Sequence, residues 1–193
     1  MDMHTALLIV DVQNDFCPGG SLGVREGDLV IPLLNRAAAL FAARGLPVVA
    51  SRDWHPAQTS HFSQYGGIWP VHCVQGTAGA AFHPELRLPA GAIVVSKGMD
   101  PESDDYSALH ARDDRDQPLP ELLRELGVSH LFIGGLATDY CVKESVLEAI
   151  RQGFMVTVLV DACRGVDLSP GDSARALDEM DAAGARLATI ADL

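Results

Sequence analysis

The chain is short of positive charge. Its 193 residues hold 14 lysines and arginines against 26 aspartates and glutamates, a formal net charge of −12. No basic run breaks the acidic surplus, which excludes an ordinary nucleic-acid binder, because affinity for a phosphate backbone comes largely from cations. The surplus itself serves solubility. Long apolar runs are missing too. Those present, such as Leu7 to Val10, are strand-sized, far below the roughly 18 residues of a membrane-spanning helix. The opening Met1-Asp2-Met3-His4 lacks the positive region and apolar core of a secretory leader. Cysteine is sparse, and Cys17, Cys73, Cys141 and Cys163 stand far apart with no CxxC spacing. Such thiols suit a reducing compartment, so the expectation is a cytoplasmic protein without membrane or nucleic-acid partner. No linker, repeat or low-complexity tract divides the chain, which predicts a single domain over residues 1–193.

What is present is an ordinary globular composition, 48% hydrophobic and 21% charged, with enough chain to bury a core unaided by disulfides. Strand and helix patterns alternate. Ala6-Leu-Leu-Ile-Val10 is a wholly apolar run, as a strand buried on both faces should be. Asp28 is placed to cap a helix through about Arg44, with Leu33, Leu34, Ala37, Leu40 and Phe41 on one face. Further strands are predicted at Pro47–Ser51, Ala92–Ser96, Leu131–Ile133, Met155–Val160 and Arg186–Ile190. Helices are predicted from Pro120, with Leu122, Leu123 and Leu126 as its apolar face, from Asp139 to Gln152, and from a Ser169-Pro170 cap to Ala183. The alternation predicts an α/β domain with a mostly parallel sheet covered on both faces. Two irregular stretches, Asp53 to about Pro84 and Lys97 to about Gln117, are long for a compact domain and are read as functional or mobile loops.

Ligands in open α/β sheets bind beyond the carboxyl ends of the strands. The residues predicted there carry chemistry: Asp11 after the first strand, Asp53 and His55 after the second, Lys97 after the third, a Gly134-Gly135 turn leading to Cys141 after the fourth, and Asp161 after the fifth. A buried thiol is commonly a core residue, but Cys141 falls in the first turn of a predicted helix. There the helix dipole and Lys97 favour thiolate, and Asp11 is a candidate proton acceptor. The glycine pair permits a turn that aims backbone N–H groups at an oxyanion, though it also suits a plain strand-to-helix turn. Asp53-Trp-His55 puts two ligand types on one side of an extended segment. His61 and His72 in the same loop strengthen a metal reading, with zinc, iron(II) and manganese(II) all suited to the donors. Phe16 and Trp69 are loop aromatics near this rim, either packing residues or a clamp for a flat ligand. His4, His110 and His130 are read as surface or loop residues, His83 and Asp161 as structural, and Cys73 and Cys163 as core.

Taken together, Asp11-Val-Gln-Asn-Asp-Phe-Cys-Pro-Gly-Gly20, Asp53-Trp-His-Pro56, Trp69-Pro-Val-His-Cys-Val74, Lys97-Gly98 and Gly135-Leu-Ala-Thr-Asp-Tyr-Cys-Val142 resemble the bacterial nicotinamidases, also called pyrazinamidases, of the isochorismatase-like cysteine hydrolases. The match runs from Leu8 to about Ala191 and includes Cys163-Arg-Gly-Val166 and Asp172-Ser-Ala174. The resemblance implies a three-layer α/β/α sandwich around a six-stranded parallel sheet. It implies hydrolysis of nicotinamide to nicotinate and ammonia, and of pyrazinamide likewise, through a thioester, serving NAD salvage. It also implies an Asp11, Lys97 and Cys141 triad. Asp53, His55 and His72 would hold one divalent ion, zinc with iron(II) or manganese(II) as alternatives, with Ser60 or His61 in the place of one further contact. Phe16 and Trp69 would sandwich the pyridine ring, and Leu136-Ala137 would form a cis peptide beside the oxyanion site. The resemblance implies nothing for the acidic loop from Asp100 to Asp116, and it leaves a homo-oligomer open. Isochorismatases that cleave a vinyl ether and carbamoyl-amide hydrolases are the alternatives within the superfamily, and a metal is not their usual feature. A binding module on the same fold is the alternative outside enzymology.

Overall fold

The computed structural model describes residues 3–193, so Met1 and Asp2 of the opening stretch lie outside the described residues. Six strands form one sheet: β1 (Thr5–Val10), β2 (Val48–Asp53), β3 (Ile93–Lys97), β4 (His130–Leu136), β5 (Met155–Arg164) and β6 (Arg186–Ala188). Their order is β3-β2-β1-β4-β5-β6, and every pairing is parallel. β1 lies between β2 and β4, so the direction of winding reverses beside it. That is where an α/β sheet opens a crevice at its carboxyl edge.

Four helices cover the sheet: α1 (Val30–Ala43), α2 (Leu119–Glu125), α3 (Lys143–Arg151) and α4 (Asp172–Ala182). The chain moves one way across the sheet through α1 and the other way through α2, α3 and α4. Right-handed crossovers therefore put α1 on one face and the rest on the other. The core divides accordingly. Leu7 and Ile9 of β1 pack with Leu34, Ala37 and Phe41 of α1. Ala6, Leu8 and Val10 point to the opposite layer with Leu123, Val146 and Met180. This is the three-layer α/β/α sandwich expected from the sequence.

Several boundaries differ, each for a local reason. Asp28 sits in a 3-10 turn, Gly27–Leu29, and makes no capping bond, so α1 starts only at Val30. Ser169 does not cap α4. Gly171, in a left-handed conformation, precedes the helix, and the Asp172 carboxylate accepts the Ser169 amide at 2.8 Å. Leu126 is exposed because α2 has already ended at Glu125. β5 continues past Asp161 to Arg164, and its register against β4 shifts between Ile133 and Gly135. His130 is not a loop residue but the first residue of β4, beside Thr157 at 2.9 Å. The predicted helix from Asp139 begins as a π-type turn, Thr138–Val142, before α3. Single π turns are rare and recur at functional sites. No helix among the described residues is long and apolar enough to cross a membrane.

Candidate active site

The carboxyl ends of β1, β2, β3 and β4 deliver Asp11, Asp53, Lys97 and the turn carrying Cys141 to one place. Asp11 ends β1 with φ 50°, a left-handed conformation rarely adopted by non-glycine residues. Its amide donates to the Ser51 carbonyl at 3.2 Å, and its Oδ1 accepts the Ser51 hydroxyl at 2.7 Å. Gly135 lets β4 close against it: at φ 136°, a Cβ there would lie 2.1 Å from the Val10 carbonyl oxygen. Gln13 fixes β2's end, accepting the Asp53 amide and donating to the Asp53 carbonyl, both at 2.8 Å.

Lys97, 1% exposed, is the hub. Its ammonium lies 3.0 Å from Asp11 Oδ2, hydrogen-bonds Asp53 Oδ1 and stands 3.5 Å from Cys141 Sγ. Burial disfavours its charge, but Asp11 and Asp53 outweigh that and hold it protonated. Asp11 Oδ2 is fully buried, and the ammonium it faces is that of Lys97. Burial, offset in part by Lys97, raises the Asp11 carboxyl above the usual aspartate range. The Cys141 thiol corrects the sequence expectation. Lys97 does pull its pKa down, but burial is larger and pushes the thiol well up. Nor does it stand in an α-helical first turn; it sits within the π turn. The thiol thus keeps its proton at rest and needs a neighbouring base.

Beside this cluster lies a second, and Asp53 joins the two. His55 Nδ1 donates to the Gly98 carbonyl at 2.9 Å, His72 Nδ1 to the Pro70 carbonyl at 2.8 Å, and His61 Nδ1 bonds the Asp104 carboxylate at 2.6 Å. With Nδ1 in use on each ring, each Nε2 keeps its lone pair, as metal-ligating imidazoles do. The three rings offer ligand atoms all within 4.8 Å of one another. Asp53 Oδ2 is 3.6 Å from His55 Nε2 and 3.9 Å from His72 Nε2. His55 Nε2 is buried without a partner. Burial holds His72 down to about 4 and lowers His61, which keeps both neutral at pH 7. Burial would raise the Asp53 carboxyl, but Lys97 and His55 hold it below its ordinary value. Three imidazoles, one of them with an orphaned nitrogen, and a carboxylate fit a divalent cation. Of Ser60 and His61, His61 is the one buried in this cluster, and Ser60 is exposed.

Gly98 matters here. It has φ 66°, and a Cβ on it would lie 2.5 Å from His55 Cε1. Gly153 is also left-handed, at φ 88°, but faces open space. Gly98→Ala and Gly153→Ala therefore share about 1 kcal/mol of backbone strain. Urea unfolding should show Gly98→Ala losing about 1–3 kcal/mol more, from the displaced His55 ring. Equal losses would mean that the ring moves aside freely.

Both clusters open on a pocket enclosing about 370 Å³ of empty space, mouth included. Phe16, Trp69, Ala137 and Cys141 line it, Leu136 is fully buried and does not, and the Leu136–Ala137 peptide is cis. Sequence reasoning missed Leu22, Tyr106, Tyr140 and Val166 in this wall. Tyr140 and Val166 lie inside matched motifs, which was the available signal. Asp139 ties them together, accepting the Val166 amide at 2.9 Å and the Asp167 amide at 2.8 Å. Asp161 stays outside the pocket and accepts the Ile190 amide at 3.0 Å. Cys73 and Cys163 are core residues, as expected.

The isochorismatase domain matches residues 5–192. The chain belongs to that family. It is similar to the nicotinamidase of Escherichia coli strain K12, with 45% identity over 97% of this chain and 95% of that protein. Among solved structures it resembles the pyrazinamidase of Pyrococcus horikoshii in complex with zinc. There the TM-score is 0.88 at 41% identity, covering 96% of this chain and 99% of that one. PnC1 from L. infantum in complex with nicotinate superposes with a TM-score of 0.88 at 34% identity, covering 98% of this chain and 94% of that one.

Proposed function

We propose that this amidohydrolase converts nicotinamide to nicotinate and ammonia, accepts pyrazinamide likewise, and supplies pyridine nucleotide salvage. The observation that carries the reading is Asp53, shared between a thiol–ammonium–carboxylate cluster and a three-imidazole cluster on one aromatic-walled pocket. The first cluster has the parts of acyl transfer; the second has the parts of a site for a lone-pair donor. A heteroaromatic carboxamide has both matching ends. The whole match over residues 5–192 supports one catalytic domain, and the four free thiols support a reducing, cytoplasmic setting.

In this reading Phe16 and Trp69 clamp the ring and place the carboxamide carbon over Cys141 Sγ, an orientation effect worth several powers of ten. Asp11, buried beside the Lys97 ammonium and less acidic than an ordinary aspartate, takes the thiol proton as the S–C bond forms. Lys97 balances the negative charge that remains on the Asp11, Asp53 and Cys141 group. Backbone amides at Ala137 and Cys141 hold the oxyanion. As the C–N bond breaks, Asp11 returns its proton to the leaving nitrogen, releasing ammonia. Water then adds to the thioester with Asp11 as base, and the proton passes back to the sulfur as nicotinate leaves. Asp53, His55, His61 and His72 would hold the divalent ion, zinc with iron(II) or manganese(II) as alternatives, which supplies a Lewis-acidic position for the ring nitrogen.

The test is ammonia release from nicotinamide against benzamide, which has the same shape without the ring nitrogen. A site built for a lone-pair donor rejects the analogue lacking it, so benzamide is expected to have a kcat/KM lower by about 100-fold or more. Equal specificity constants would reverse the pose, and no turnover of either amide would remove the reading.

A further inference from the structure

Three consecutive residues of the acidic loop reach three different parts of the site. The Asp104 carboxylate bonds His61 at 2.6 Å, the Asp105 carbonyl lies 3.5 Å from the Lys97 ammonium, and the Tyr106 hydroxyl accepts the Trp69 indole N–H at 2.9 Å. The loop is itself anchored, since the Pro101 carbonyl accepts the Ser60 amide at 2.8 Å. Trp69, 6% exposed, is therefore held at both ends. Its backbone carbonyl accepts the Ser63 amide at 2.7 Å, and its far edge is held by Tyr106. Its ring stands at 82° to Tyr140, 5.0 Å between centroids, next in sequence to the Cys141 thiol. A flat wall on one backbone anchor can swing about its two side-chain torsions. The second anchor removes that freedom.

We infer that Tyr106 is a positioning residue for amide hydrolysis, acting through Trp69: its hydroxyl locks the indole wall in the one orientation that lays a flat ring amide over Cys141. The inference rests on the function proposed above. Without the hydroxyl the apolar wall remains, so ground-state binding persists, while the alignment needed for attack is lost. An unpaired indole N–H in a buried wall is also driven to turn toward another partner.

The experiment uses Tyr106→Phe alone and combined with Trp69→Phe, and reads Trp69 emission in a Trp54→Phe background, where it is the sole tryptophan. Tyr106→Phe is expected to lower kcat for nicotinamide about tenfold, with KM moving less than about threefold. In the Trp69→Phe background, which has no N–H to hold, the same change should alter kcat less than about twofold. Loss of the hydrogen bond should move Trp69 emission to shorter wavelength with far-UV circular dichroism unchanged. A tenfold loss in both backgrounds would mean that Tyr106 touches the substrate itself, and unchanged emission would mean that it holds nothing; either overturns the inference. If wild-type protein released no ammonia from nicotinamide, the functional reading would fail, and the emission shift would still decide the Trp69–Tyr106 lock.

Discussion

Cys141→Ala is expected to keep the fold and lose nicotinamide hydrolysis by about 10⁴-fold or more, the scale on which removing a covalent nucleophile acts. The substitution removes one sulfur from a position 6% exposed, opens little space and leaves the Lys97 pairs with Asp11 and Asp53 intact. Far-UV circular dichroism and the unfolding midpoint should therefore barely move. Chemical labelling supplies a second view. Cys17, Cys73 and Cys163 are buried away from the pocket, and burial pushes Cys17 to about 11 and Cys163 to about 12. Cys141 is raised as well, so a resting thiolate is not what distinguishes it. Access to the pocket and the Asp11 carboxylate beside it are what do. Iodoacetamide should label Cys141 first, and nicotinate should protect it. Full activity in the alanine variant would end the thioester mechanism.

The contrast between helix dipole and burial at Cys141 illustrates what a sequence can carry. Apolar runs and their alternation with helical periods placed all six strands, most clearly β1, which is buried throughout and has little choice of residue, and least clearly the largely exposed β6. Asp11, Asp53 and Lys97 were legible because each follows such a run, and strand ends converge on one rim. The depth of the rim was not legible. Whether Lys97 lowers the thiol's pKa more than burial raises it depends on how completely neighbouring elements cover both groups, and no spacing encodes that. The loop from Asp100 to Asp116 was opaque for a related reason. Its residues look like a solvated acidic stretch, yet Asp104 and Tyr106 meet His61 and Trp69, residues some forty positions away. Only the closed chain brings them together. The resemblance left Ser60 and His61 as alternatives, and the structure buries His61 among the imidazoles while Ser60 is exposed.

Lys97→Met should cost about 3–5 kcal/mol of stability, because it leaves two buried carboxylates without their counter-charge. Asp11 is 0% and Asp53 3% exposed, so water cannot replace the ammonium. The pH dependence follows from the same groups. In the wild-type chain Asp53 is held below its ordinary value despite burial, by Lys97 foremost. Its contribution is present above the unfolded value of about 3.9 and is lost as pH falls through the folded one. Without Lys97, burial acts on both carboxyls unopposed by the ammonium, and their folded pKa values rise. A carboxyl whose folded pKa lies above its unfolded value stabilises below the latter, and that stabilisation disappears as pH rises through the former. The variant should accordingly lose stability as pH rises from the unfolded carboxyl value of about 3.9 towards neutrality, and its deficit against wild type should widen. Urea unfolding in the presence of a chelator, which removes any cation that would substitute at Asp53, measures the difference directly. A deficit that stayed constant across that range would mean that the two carboxylates find other partners, and Lys97 would then be a catalytic charge without a structural duty.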